Sequence, residues 1–337
     1  MGGGGSGDLG ATLADAGEFA LVEALLARLP SGPDVLLGPG DDAAVVAAPD
    51  GRVVATTDVL VEGVHFRRDW SQALDVGHKA AAQNLADVAA MGARPTALLV
   101  GLAAPSHLET RWALELADGL AAEAARAGAA VVGGDVVQGA EVVVAVTALG
   151  SLDGRAPVTR AGARPGDLVA VCGRLGWSAG GLAVLSRGFR SPRVLVAAHR
   201  RPEPVYDAGP AAAVAGATAM VDVSDGLLAD LSHLAVASGV SVHLDVSALE
   251  AAPPLRDAAA ALGRDPLEWV LTGGEDHALA ATFPAGAALP DGWAVVGVVA
   301  TGPGPVRADG SQPPRVTVAG LEGGAYEGPG GYRHYSV

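Results

Sequence analysis

Short apolar runs that break off at glycine, threonine or serine beside an acid recur along this chain, and segments of helical period separate them. The acids sit in Thr56-Thr57-Asp58, Gly133-Gly134-Asp135, Asp222-Val223-Ser224-Asp225 and Thr272-Gly273-Gly274-Glu275-Asp276, and Asp41-Asp42 opens another run. One aspartate beside a glycine is ordinary turn chemistry. Five such places point instead to strand ends beside short loops, where ligands commonly bind. Helices are expected over Glu18–Leu29 and Asp75–Met91, and a capping box at Ser106–Glu109 opens another that ends near Gly128. Leu227, Leu228, Leu231, Leu234 and Ala235 form one apolar helical stripe. The alternation gives an α/β or α+β class, and periodicity alone does not choose between them.

Its 337 residues suggest roughly two domains. The turn-rich stretch 151–166 marks the boundary: a flexible segment 1–16, an N-terminal domain 17–150 and a C-terminal domain 151–337. Half the chain is apolar but only 4% is aromatic, so the core must be Ala, Val and Leu. A net charge of −15 excludes a broad basic surface for nucleic acid or anionic membrane. No apolar run approaches the roughly 18 residues of a membrane span. The first basic residue is Arg28, which argues against a signal peptide. A single cysteine, Cys172, lies in an apolar run and reads as core; with no disulfide framework within the chain, a reduced cytoplasmic compartment is expected.

Many carboxylates at one site would raise one another's pKa values unless cations stand among them. Mg²⁺ takes oxygen ligands and recruits phosphate oxygens, so an acidic chain can bind a polyphosphate through metal. The eight histidines show no ligand spacing for a transition metal. Lys79, Gln83 and Asp87 roughly share a helix face near Asn84, and the pattern favours a solvated face over a ligand face. The loop Gly173–Gly181 lacks the P-loop signature; it is either a tight turn or a set of amides offered to an anion. Gly-x-Ser-x-Gly is absent.

Taken in order, these motifs resemble the thiamine-monophosphate kinase family of the aminoimidazole ribonucleotide synthetase superfamily. The resemblance runs from about Glu18 to Tyr335, through Gly40-Asp41-Asp42-Ala43-Ala44, Val61-Glu62-Gly63-Val64-His65-Phe66, residues 84–92, Thr159-Arg160-Ala161-Gly162-Ala163 and the acid motifs above. It implies two α/β domains, a homodimer whose N-terminal sheets pack together, and a site in a cleft. It implies ATP-dependent phosphorylation of thiamine monophosphate to thiamine diphosphate. By motif, Asp42, Thr56, Thr57, Asp58, Asp87, Asp135, Asp222 and Asp225 would carry several Mg²⁺ ions; Asp58, Asp87, Asp135 and Arg160 would be catalytic. Gly134, Asp135, Arg160 and Ser224 would bind ATP, and His65, Glu275 and Tyr332 would face thiamine phosphate. His277 stands where the family usually has tyrosine. Aminoimidazole ribonucleotide synthetase, or a nucleotide-binding relative without turnover, is the alternative.

Overall fold

The computed structural model describes residues 11–39, 43–302 and 315–320. They fall into two compact units. Within the described residues, the first holds 11–85 and 95–151; the second holds 86–94 and everything described after Ser151.

The first unit contains α1 (Leu13–Ala16), α2 (Glu18–Leu26), β1 (Val35–Leu37), β2 (Val45–Val46), β3 (Val54–Val61), most of α3 (Ala73–Ala90), β4 (Arg94–Ala104), α4 (Thr110–Arg126), β5 (Ala130–Gln138) and β6 (Val143–Ser151). Its main sheet has the order β3-β6-β4-β5. β3 pairs antiparallel with β6, and β4 parallel with β5. Side chains alternate across a strand. Leu60, Val144, Val146 and Ala148 fill the buried face, while Val59, Ala145, Leu99 and Val137 fall on the other by register. The β1–β2 ribbon covers one end of that second face, packing Val35, Ala44 and Val46 on Ala97, Ala130 and Val132. Elsewhere, among the described residues, it is open, with Val59, Leu99 and Val137 between 40% and 51% exposed.

Two expectations shift here. The box at Ser106–Glu109 does not cap α4: Glu109 is the N-cap and makes no side-chain cap bond. The expected helix from Glu18 stops at Leu26, and a box at Thr12 and Asp15 opens the short α1 before it.

The second unit contains β7 (Leu168–Cys172), α5 (Trp177–Ser186), α6 (Arg193–Arg200), α7 (Ala208–Val214), β8 (Ala219–Val223), α8 (Leu227–Ser238), β9 (Ser241–Asp245), α9 (Pro253–Leu262), α10 (Pro266–Thr272), β10 (Ala278–Phe283), β11 (Trp293–Ala300) and β12 (Val316–Ala319). Six strands run β12-β9-β11-β7-β10-β8, antiparallel except for the β12–β9 pair. The apolar stripe of α8 is buried along its length, as its spacing requires. Cys172 is core, and burial pushes its thiol pKa up. No helix among the described residues is long and apolar enough to cross a membrane.

Candidate active site

In the first unit, Thr56, Thr57 and Asp58 lie inside β3, which runs on to Val61, and Gly134 and Asp135 lie inside β5. They are not at strand ends, because β3 and β5 keep their ladders with β6 and β4 past the acids. Asp58 pairs with Val146, whose side chain is fully buried, whereas Asp135 pairs with Gly101. A Cβ on Gly101 would touch that of Ala145, one residue from Val146 and on the opposite face. Asp58 and Asp135 therefore stand on opposite faces, three strands apart or ~14 Å. Asp135 Oδ1 accepts the N–H of Val136 at 2.9 Å. The hydroxyl of Thr57 donates to the Val146 carbonyl and accepts from Thr147.

α3 supports β3. Asn84, fully buried, accepts the Asp58 N–H at 2.9 Å and returns its own amide to the Ala80 carbonyl at 2.9 Å. Lys79 is 3% exposed and donates to the His65 carbonyl at 3.2 Å. The expected face of Lys79, Gln83 and Asp87 is thus not a solvated one: Lys79 is buried, Gln83 and Asp87 are half-buried, and Asn84 beside them is buried. His65 Nδ1 accepts the N–H of Val61 at 3.0 Å, which puts the ring proton of the neutral form on Nε2, away from that bond.

In the second unit, two turns meet: residues 224–226 after β8, and residues 273–277 between α10 and β10. The latter follows a helix, not a strand, unlike the strand-end expectation. The N–H of Glu275 donates to the Ser224 carbonyl at 2.8 Å and that of His277 to the Val223 carbonyl at 3.2 Å. A Cβ on Gly274 would sit 2.1 Å from the Ser224 oxygen, so only glycine lets the turns approach this closely. Glu275 and His277 both have left-handed backbones, φ 65° and 52°, a conformation that side-chain-bearing residues rarely adopt.

Acids crowd this junction. Asp230, which the sequence reading did not single out, accepts the N–H groups of Asp225 and Gly226 at 3.0 Å each. Burial, then the charges of Asp222 and Asp225, push its pKa up to about 7 against the opposing pull of those two amides. His277 Nδ1 lies 3.3 Å from Asp222 Oδ2, both side chains buried. Burial disfavours the imidazolium, but the Asp222 bond and the charges of Asp222, Asp87 and Glu275 outweigh it and raise the pKa. Asp276 accepts the Ser178 N–H at 2.8 Å in the first turn of α5. The start of the helix in the Gly173–Gly181 loop is thus capped from within by Asp276. Ser178 and His199, also missed from sequence, complete a cluster with Glu275: Ser178 Oγ is 3.0 Å from His199 Nδ1 and 3.4 Å from Glu275 Oε2. No local pattern could have joined positions so far apart in the chain.

Arg160 is exposed, and its carbonyl accepts the Ser238 hydroxyl, which itself receives the N–H groups of Gly162 and Ala163. Asp87, Ser224 and Asp225 are half-buried. Asp42 and Tyr332 lie outside the described residues. Among the described residues, no three His, Cys, Asp or Glu side chains stand close enough together to hold a metal ion. The donor set is nonetheless all oxygen, and the repulsion from Asp222 and Asp225 that adds to burial in raising Asp230 is what a hard cation relieves.

Comparison with known proteins places these residues in a family. Residues 40–152 match the model of the "AIR synthase related protein, N-terminal domain", and residues 164–302 that of its C-terminal domain. The chain is 52% identical over 302 residues to the thiamine-monophosphate kinase of Mycobacterium tuberculosis, covering 89% of this chain and 90% of that one. It is similar to the crystal structure of thiamine-monophosphate kinase from Stenotrophomonas maltophilia K279a: 35% identity, TM-score 0.76, covering 90% of this chain and 96% of that one. It is also similar to "AaThiL complexed with AMPPCP and TMP", at 32% identity and TM-score 0.75, over 95% and 97% of the two chains. The chain belongs to the thiamine-monophosphate kinase family of AIR synthase-related proteins.

Proposed function

We propose that this protein is an ATP-dependent kinase that phosphorylates thiamine monophosphate to thiamine diphosphate. The observation that carries the reading is likeness over nearly the whole chain to a relative solved with an ATP analogue and TMP. The acceptor is itself a phosphate, largely ionised near neutral pH, so the transfer needs no strong general base. It needs alignment and charge neutralisation. Arg160, exposed at the end of a backbone fixed by Ser238, would hold ATP phosphate oxygens as a fork. Gly134 and Ser224 would approach the nucleotide. His65 would offer its Nε2–H to the acceptor phosphate, since Val61 already occupies Nδ1. Glu275 would face the cationic ring system of thiamine, with Tyr332 closing that end.

Asp42, Thr56, Thr57, Asp58, Asp87, Asp135, Asp222 and Asp225 would hold several Mg²⁺ ions, with Asp58 and Asp135 on different ones because they stand on opposite faces of the sheet. Mg²⁺ is an ion commonly held by one or two carboxylates together with phosphate oxygens and water. Bound there, Mg²⁺ supplies positive charge to the phosphates. A homodimer through the open face of the first unit's sheet is part of the same reading: that face exposes Val59, Leu99 and Val137, and Asp135 points from it.

ADP release with thiamine monophosphate should be robust, and absent with aminoimidazole ribonucleotide precursors or without acceptor. Excess EDTA should abolish it, and added Mg²⁺ should restore it. Turnover that ignores thiamine monophosphate would remove the reading.

A further inference from the structure

We propose that Ser178 and His199 are positioning residues that aim the Glu275 carboxylate, and thereby set selectivity for a cationic acceptor. The inference rests on the reading of Glu275 as the group that faces thiamine.

Three elements converge on one carboxylate oxygen. Ser178 stands in the first turn of α5, His199 in the last turn of α6, and Glu275 in the strained turn before β10. His199 Nδ1 is 3.0 Å from Ser178 Oγ and 3.5 Å from Glu275 Oε2, and Ser178 Oγ is 3.4 Å from that oxygen. The proton count fixes the direction of the chain. A carboxylate only accepts, so the Ser178 O–H donates to Glu275 and the His199 Nδ1–H donates to Ser178. The Ser178 N–H meanwhile goes to Asp276, so one serine pins both acids of the Glu-Asp pair.

The support is rigid. Ser178 and His199 are 1% and 6% exposed. A Cβ on Gly181 would lie 2.1 Å from the Leu195 carbonyl and 2.8 Å from the His199 Cβ, so α5 and α6 meet closely through glycine beside His199. The Glu275 side chain, by contrast, is 35% exposed. A carboxylate gripped from behind and open in front suits recognition. Simple helix pairing requires no exposed acid on a left-handed backbone.

The test is steady-state kinetics on the full chain with thiamine monophosphate and ATP. His199→Leu should raise the KM for thiamine monophosphate up to roughly tenfold, the upper weight of one ordinary hydrogen bond, with kcat and the ATP KM unchanged. His199→Asn, whose side-chain amide can donate near the Nδ1 position, should restore most of it. Ser178→Ala gives the same readouts without emptying the helix interface, should His199→Leu fold poorly. In a Glu275→Ala background neither change should add anything. Losses that multiply in that background, or an ATP KM that rises in step, would overturn the positioning role. Should Glu275→Ala alone leave the thiamine monophosphate KM unchanged, the reading of Glu275 itself fails, visible in the single variant before any cycle is closed.

Discussion

Asp276 Oδ1 caps the first turn of α5, while its buried Oδ2 has no partner among the described residues. Burial pushes its pKa up to about 7, against the pull of the Ser178, Gly176 and Trp177 amides and of His277. The folded state therefore holds this proton more tightly than the unfolded chain does. Stability from the protonated form is complete below the ordinary carboxyl range and is lost as pH rises through about 7. Asp276→Asn keeps an oxygen for Ser178 and cannot ionise. Denaturant midpoints should show the variant gaining on the parent between pH 5 and pH 8, by on the order of 2 kcal/mol. A difference independent of pH would mean that Asp276 is ionised throughout. At this scale the sequence exposed residue types but not their partners. Glu275 and Asp276 were legible as acids beside two glycines. The Ser178–His199 chain behind them was not, since only folding brings positions 178, 199 and 275 together.

Helix α3 shows what periodicity can and cannot disclose. The pattern marked Lys79, Gln83, Asn84 and Asp87 as its polar residues, yet a wheel cannot say what covers a face. Asn84 turned out fully buried, spending its side chain on the Asp58 N–H and the Ala80 carbonyl. Asn84→Leu should leave that strand amide unpaired and cost about 1–3 kcal/mol in chemical denaturation. A cost near zero would mean that β3 finds another acceptor. Three of the acid-bearing runs were legible as strands, two of them cut short, whereas the run before Glu275 is helix α10. β3 and β5 continue past Asp58 and Asp135 because neighbouring strands keep supplying hydrogen bonds, and a non-local ladder leaves no mark at the residue where a turn was expected. The stripe of α8, a local feature, read correctly.

For the whole molecule, the open face of the first unit's sheet is the feature to test. Contiguous exposed apolar surface rimmed by polar groups marks an interaction site. Under the homodimer proposal, Val59→Glu together with Leu99→Glu should halve the mass found by light scattering. A variant of unchanged mass would place the contact elsewhere. The turn to polar sequence after Ser151 was legible. Less legible was the debt of the second unit to residues 86–94. The Met91 carbonyl accepts the Val158 N–H, Ala90 shares a core with Ala212 and Phe283, and Gly209 backs onto the Ala89 carbonyl. A descendant gene that began at codon 152 would inherit six strands and an unfilled socket. In recombination terms the halves are not interchangeable cassettes: the piece that finishes the second is encoded in the middle of the first, and the two must be inherited together.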